Sequence, residues 1–350
     1  MMFPSVAEIN RRSDFGGVAV SLFAGCGGSS LGYRAAGFRV AFASEFVEAA
    51  RDTYAANART DTVVDARDIR KLRAADILDA IKLDVGDLDL LDGSPPCASF
   101  SMAGKRERGW GEVRAYSDCE QRTDDLFNDY IRLVRDLRPR SFVAENVSGL
   151  VRGKAFGVFR QIMLDLRVIG YRVDARMIQA EWLGVPQARH RLFVVGVRSD
   201  LGKDPVFPRP LRSVVSISDA CPWITNSSDD TERVDLPDHD LASVDSRRYA
   251  IAKKWRSLGI GESDFSTIRA DARQPVATLT TKACDPTSYG VMHPSVCRKF
   301  TPAEIRRLSG FPDDFRLTGT TKQKGERIGR AVAPPVTRAI GACILRQLGR

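Results

Sequence analysis

A chain of 350 residues with 43% hydrophobic composition can bury one large core, or a catalytic domain beside a smaller one, which excludes global disorder. The formal net charge of +9 suits a polyanionic partner without requiring one. Seven scattered cysteines with no C-x-x-C pair, and three histidines at no ligand spacing, argue against a disulfide framework or a metal site and fit a reducing cytosol.

The N-terminal stretch MMFPSVAEINRRSDFGG lacks the apolar run of a signal peptide. No stretch reads as long and apolar enough to cross a bilayer, so a cytoplasmic, monomeric protein is expected. From about Gly17 to about Val197, short apolar runs alternate with helical patterns. Strands are expected at Val18–Phe23, Val40–Ser44, Thr62–Val64, Leu88–Leu91, Ser141–Ala144, Arg172–Ile178 and Leu192–Val197. Leu126–Leu137 places Leu126, Phe127, Tyr130, Ile131, Val134 and Leu137 on one helical face, and Phe156–Ile169 is similar. This alternation predicts an α/β fold with a mostly parallel, Rossmann-like sheet covered on both faces.

After Arg198 the alternation is lost. Pro-rich and Asp-rich stretches such as DPVFPRPLR and DDTERVDLPDHD follow, punctuated by Trp223 and Trp255. This is expected to be a second, smaller domain. A helical pattern returns at Thr301–Leu308, and Arg327–Leu348 reads as a last helix rejoining the first domain.

The segment SLFAGCGGSSLG (Ser21–Gly32) follows a strand and opens a helix. Gly25, Gly27 and Gly28 let the backbone turn sharply and approach a ligand, and the helix offers free N–H groups to an anion. Glu45 lies 20 residues after Gly25, where an acidic residue commonly binds ribose hydroxyls. Asp68, read as closing the third strand, could accept from an adenine amino group. Each carboxylate could equally be a helix cap or a solvated loop group. Together they outline an adenosine-shaped cleft.

GSPPCASFS (Gly93–Ser101) comes directly after the fourth strand. Pro95 and Pro96 stiffen the turn, which presents Cys97 at the C-terminal edge of the sheet, where open α/β folds bind ligands. A lone cysteine is more often a small buried hydrophobe. AENV, with Glu145 ending the next strand, and VPQARHRLFVVG, with Arg189 and Arg191 entering another, shift that balance.

With these motifs the chain resembles the DNA cytosine-C5 methyltransferase family. FAGCGG, SPPC followed by FS, ENV, Q-x-R-x-R, QPVATLTT, FTPAEIRRLSGFP and IGRAVAPPV occur in the family's order, from about residue 18 to 350. The resemblance implies an S-adenosylmethionine-dependent methyltransferase fold and double-stranded DNA as partner. It places the catalytic and cofactor domain at 1–200 plus 298–350 and a target-recognition domain at 201–297. Cys97 then matches the nucleophile that adds to cytosine C6, Glu145 the acid that serves N3, Arg191 the group holding O2, and Arg189 a supporting residue. A thiolate suits this role because it forms near neutral pH and leaves again. Burial is expected to raise the Glu145 pKa. The base must leave the helix to be reached.

The resemblance also implies that Phe23, Gly25, Gly27, Gly28, Glu45, Phe46, Asp68, Ile69, Pro95, Leu126, Arg330 and Val332 line the cofactor pocket, with Phe46 near adenine. Ser99–Arg122 would be a loop closing over the base, with Ser101, Lys105 and Arg106 toward DNA. Arg247, Arg248 and Lys253 are candidate DNA contacts in the middle region. Some members of the family modify tRNA, but the Cys-Phe-Thr signature associated with them is absent.

Three departures stand out. Ser21 replaces an Asp before LFAG, and Ala98 a Gln after the cysteine. The terminal motif reads Gly329-Arg330-Ala331-Val332 where the family has Gly-Asn. A guanidinium facing a sulfonium ~5 Å away at an effective dielectric near ~20 is repelled by about 3 kcal/mol. A carboxylate on the transferred carbon reverses that sign, so carboxy-S-adenosylmethionine is an alternative donor and 5-carboxymethylcytosine an alternative product.

Overall fold

The computed structural model describes residues 3–96, 114–116, 119–121, 126–153, 155–226 and 246–350; for 114–116, 119–121 and 246–249 it describes the backbone only. After a short helix α1 (Val6–Asn10), GVAVSL forms β1 (Gly17–Leu22), buried along nearly its whole length as central parallel strands are. The chain then passes through α2 (Gly28–Ala36), β2 (Phe38–Ser44), α3 (Glu48–Ala55), β3 (Val63–Asp65) and α4 (Ala74–Ile81) to β4 (Leu90–Gly93). The strands β5 (Arg114–Tyr116) and β6 (Cys119–Gln121) make a separate antiparallel pair. Next come α5 (Leu126–Leu137), β7 (Ser141–Val147), α6 (Ala155–Val168), β8 (Tyr171–Gln179), β9 (Gln187–Ala188) and β10 (His190–Arg198).

All seven expected strands are present, with shifted ends, in one sheet of order β3-β2-β1-β4-β7-β10-β8. β1 pairs in parallel with β2 and β4, β2 with β3, and β4 with β7, whereas β10 runs antiparallel to β7. The direction of winding reverses between β1 and β4, so their C-terminal ends frame the crevice where ligands bind in open α/β sheets.

Strand alternation sorts the side chains. Val20, Leu22, Leu91, Phe142, Ala144 and Val194 join α4, α5 and α6 in one apolar cluster. Ser21 and Asp92 point the other way, toward α2. Tyr130 of α5 donates to the carbonyls of Leu91 and Val143, bridging β4 and β7. A side chain at Gly93 would come within 2.5 Å of the Tyr130 ring, which is why glycine ends β4.

The rest of the chain forms α7 (Ile217–Ala220), α8 (Ser246–Ser257), β11 (Thr267–Arg269), β12 (Val276–Ala277), β13 (Gly290–Met292), α9 (Pro302–Leu308), α10 (Thr321–Arg330) and α11 (Pro334–Leu348). By contact the chain divides into a larger unit, Val6–Ile178, His190–Arg209 and Val336–Arg350, and a smaller one, Met1–Ser5, Gln179–Arg189 and Pro210–Pro335. The return to the larger unit thus falls at Val336, later than the boundary expected near residue 298. α9 packs on α10 and α7, and its capping box and the Arg298–Glu304 pair at 2.8 Å keep it in the smaller unit. Gln179–Arg189 also belongs there, because β9 pairs with β12.

The expected single helix at Arg327–Leu348 is two helices. Pro334 and Pro335 cannot continue α10 but suit the first turn of α11. The span 321–348 does meet the length and hydropathy of a membrane-crossing helix, contrary to expectation. Its apolar window is 67% buried within the protein, and the break marks it as two core helices. α11 rests against α2, where Thr337 donates to the Ser29 carbonyl at 3.2 Å.

Candidate active site

The loop after β1 is built for close approach of a ligand. Gly25 and Gly27 adopt φ of 56° and 95°, and even Phe23 is held at φ 52°, a conformation that side chains rarely adopt. Nothing lies within 4 Å of where a Gly25 side chain would project. Gly28 opens α2. The buried Glu45 carboxylate, just past β2, fixes this loop. One oxygen accepts from the Gly25 N–H at 2.7 Å and the other from the Val47 N–H at 2.8 Å. Glu45 therefore orders the turn and the start of the segment after β2.

Phe46 leaves 40% of its surface exposed beside that carboxylate, an aromatic face available to a purine. Asp68 does not close the third strand, which ends at Asp65. It caps the 3-10 turn Ile69–Lys71, accepting from the Arg70 N–H at 3.0 Å and pairing with the Arg70 guanidinium at 3.1 Å. Ile69 and Leu126 lie within the apolar core cluster, and Phe23 packs against it. An open glycine turn, a fixed carboxylate and an exposed aromatic suit an adenosine cofactor. Arg330 and Val332 belong to the smaller unit.

At the neighbouring strand ends, Glu145 and Arg191 meet. Arg191 of β10 opposes Val147 of β7, which puts it two residues along the same face as Glu145. Its Nε lies 3.2 Å from Glu145 Oε1, with both side chains mostly buried. A second Arg191 nitrogen donates to the His190 carbonyl at 2.8 Å. Asn146, next to Glu145, donates to the Pro95 carbonyl at 3.3 Å. The ENV segment thus holds the turn that leads to Cys97. Cys97 itself lies outside the described residues, as do Ser101, Lys105 and Arg106.

Arg189 is placed differently from Arg191. It is buried in the smaller unit and donates to the carbonyls of Leu279 and Gly329 at 3.4 and 3.1 Å. Thr278 donates to the Ala188 carbonyl at 2.6 Å, so the PQAR and TLTT segments form one hydrogen-bonded unit. Arg330 pairs at 2.8 Å with Glu326 on its own helix. Arg247 and Arg248 lie on α8, where only the backbone is described, and Lys253 of α8 is exposed.

One residue escaped the sequence reading. Asp92, wholly buried, accepts from Ser29 Oγ at 2.7 Å, Ser21 Oγ at 2.9 Å and Tyr33 Oη at 3.0 Å. Ser21 and Asp92 are direct neighbours across the β1–β4 ladder. The Ser21 hydroxyl on β1 is thus held by a carboxylate on β4. The signal was the pair of oddities, serine at one position and a second Asp in LDLLDG. Burial pushes the Asp92 carboxyl up to about 6, while the bonds from Ser29, Ser21 and Tyr33 pull it down.

An acid held above its unfolded value contributes stability that is fully present below 3.8 and lost as pH rises through about 6. A shift of this size corresponds to ~3 kcal/mol. Asp92→Asn should lack this loss, so its urea-unfolding free energy should gain on the wild type by that order between pH 4 and 7. Parallel pH profiles for the two proteins would refute the assignment.

The crevice with its glycine turn and buried carboxylate defines an α/β protein with a nucleotide-type cleft at the β1–β4 switch point. The model of the C-5 cytosine-specific DNA methylase family matches residues 18–346, and the chain belongs to that family. It is 29% identical over 348 residues to the type II methyltransferase M.NgoFVII of Neisseria gonorrhoeae, covering 95% of this chain and 87% of that one. It is 31% identical over 308 residues to M.MthTI of Methanothermobacter thermautotrophicus, covering 84% and 86%. Among solved structures, a protein described as a DNA modification methyltransferase encoded within an E. coli prophage superposes with a TM-score of 0.73 at 25% identity, over 95% of this chain and 99% of that one. Spodoptera frugiperda DNMT2 shares the fold, with a TM-score of 0.67 at 16% identity over 94% and 99%. The protein is a DNA cytosine-C5 methyltransferase.

Proposed function

We propose that the protein methylates a cytosine within a specific DNA sequence, through a covalent bond between Cys97 and C6 of a base extruded from the duplex. The observation that carries this reading is the Glu145–Arg191 pair at the strand ends beside the Pro95 turn. O2 and N3 are adjacent atoms on one edge of cytosine, and these two side chains are adjacent donors for them once Glu145 holds a proton. The Cys97 thiolate bonds to C6, the electron pair of the 5,6 double bond moves into the ring, and N3 takes the Glu145 proton. C5 becomes enamine-like and can attack the methyl group that S-adenosylmethionine would supply as an electrophile, the methyl–sulfur bond breaking with its electron pair left on sulfur as a neutral thioether. A base, for which water suffices, takes the C5 proton; the C–H pair re-forms the 5,6 double bond as the thiolate leaves, and N3 returns its proton to Glu145.

The donor's adenosine would be held by Glu45, Phe46 and the Gly25–Gly28 turn. By function, residues 1–200 and 298–350 would carry the chemistry and 201–297 the target recognition, a division that differs from the contact units, which keep 179–189 and 298–335 with the smaller one. Duplex DNA in which 5-fluorocytosine replaces the target tests this directly. Fluorine cannot leave C5 as a proton does, so a protein–DNA adduct should survive denaturing electrophoresis. No adduct, with methylation intact on ordinary DNA, would dismiss the covalent route.

Carboxymethyl transfer is the alternative carried by Arg330. Its guanidinium already pairs with Glu326, so gripping a carboxylate-bearing donor requires that bond to be exchanged. With equal amounts of S-adenosylmethionine and carboxy-S-adenosylmethionine, mass spectrometry of the digested DNA should find 5-methylcytosine. Product consisting of 5-carboxymethylcytosine would reverse the assignment, and Arg330→Asn should then restore the ordinary donor.

A further inference from the structure

In the smaller unit, the turn between Ser263 and Thr267 holds Phe265 wholly exposed. Burying a phenylalanine stabilises a fold, so a tip that keeps one in water forgoes that gain. Single exposed apolar residues are common; this one stands at the tip of a hydrogen-bonded turn. The Asp264 carboxylate accepts from the N–H groups of Ser266 and Thr267, both at 2.7 Å, and the Asp264 N–H donates to the Thr267 carbonyl. Lys254 of α8 anchors the tip, 2.9 Å from Asp264 and 2.8 Å from Ser266 Oγ. Lys254 and those N–H groups hold the Asp264 carboxyl well below the usual carboxylate range, so the anchor stays charged.

At the base of the turn, Thr267 is buried and Arg269 lies 4.2 Å over the Trp255 ring. Lys254 also sits over the ring of Tyr289, itself partly exposed. The segment 246–270 carries six basic and two acidic residues. A rigid tip, a projecting aromatic ring and surrounding positive charge are what a base-stacking wedge needs. The ring faces bases, and the cations face phosphates.

We propose that Phe265 stacks against bases of bound duplex DNA as a wedge, a contact separate from the site that reacts with cytosine. The inference rests on DNA being the substrate. Its test starts from a duplex carrying the recognition site, mapped by bisulfite sequencing of plasmid methylated by the wild type. Failure of the wild type to methylate any DNA would undo the functional reading, whatever the behaviour of Phe265 variants. With wild-type methylation established, Phe265→Ala should bind that duplex about ten-fold or more weakly, with an unchanged slope of affinity against salt. Phe265→Trp should restore binding.

2-Aminopurine placed in turn at positions other than the target should brighten at one of them with the wild type, and stay quenched there with Phe265→Ala. Because the side chain makes no core contact, melting temperatures should match. Wild-type affinity in Phe265→Ala would overturn the proposal. So would a loss of affinity that comes with an altered salt slope, since that would mark a disturbed phosphate contact.

Discussion

Cys97→Ala is expected to abolish methyl transfer, by at least about 10⁴-fold in kcat, while duplex binding stays within a few-fold of the wild type. The reason is chemical. Cytosine C5 does not attack a methyl donor until addition at C6 has broken the ring's aromaticity, and alanine supplies no electron pair for that addition. The structure carries the chain to the threshold of this residue. β4 ends at Gly93 beneath the Tyr130 ring, and Asn146 holds the Pro95 carbonyl. Transfer of tritiated methyl to DNA measures the loss, and the 5-fluorocytosine adduct should vanish with it. A Cys97→Ala protein that still methylates would remove the nucleophile from the mechanism.

Glu145→Gln should cost about 10²-fold or more in kcat, with little change in KM for DNA. Glutamine keeps the shape of the side chain and can still donate a hydrogen bond to N3, but it has no proton to give. The variant therefore separates holding the ring from protonating it. In the wild-type structure Arg191 lies 3.2 Å from Glu145, and glutamine there also leaves that guanidinium without its carboxylate. Release of tritium from C5 of labelled DNA, followed with and without donor, reads the activated ring directly. Exchange within about three-fold of the wild type would exclude Glu145 as the acid.

The placement of the crevice was legible because its signals are local. A glycine-rich segment between a strand and a helix marks Gly25, Gly27 and Gly28 as a turn; Gly25 and Gly27 take up positive φ, and Gly28 opens α2. Glu45 stands out by its distance along the chain as a candidate ribose ligand; its carboxylate accepts from the backbone of the glycine loop and of Val47, a role the spacing does not reveal. Asp68 was less legible. The strand stops three residues earlier, and the side chain caps a 3-10 turn, a role that any Asp before such a turn can fill. Arg189 and Arg191 stand two residues apart in one motif, yet they fall in different units, because β9 pairs with β12 while β10 joins the main sheet.

The sequence by itself determined the seven strands, the glycine turn and the family, since apolar period, turn chemistry and motif order are properties of neighbouring residues. Only the tertiary structure decided that Asp92 sits beside Ser21, that residues 298–335 stay with the smaller unit, and that Phe265 stands in water. Each of these depends on which distant segments pair and which side chains they cover. Such pairings form between residues tens of positions apart, and no local pattern records them.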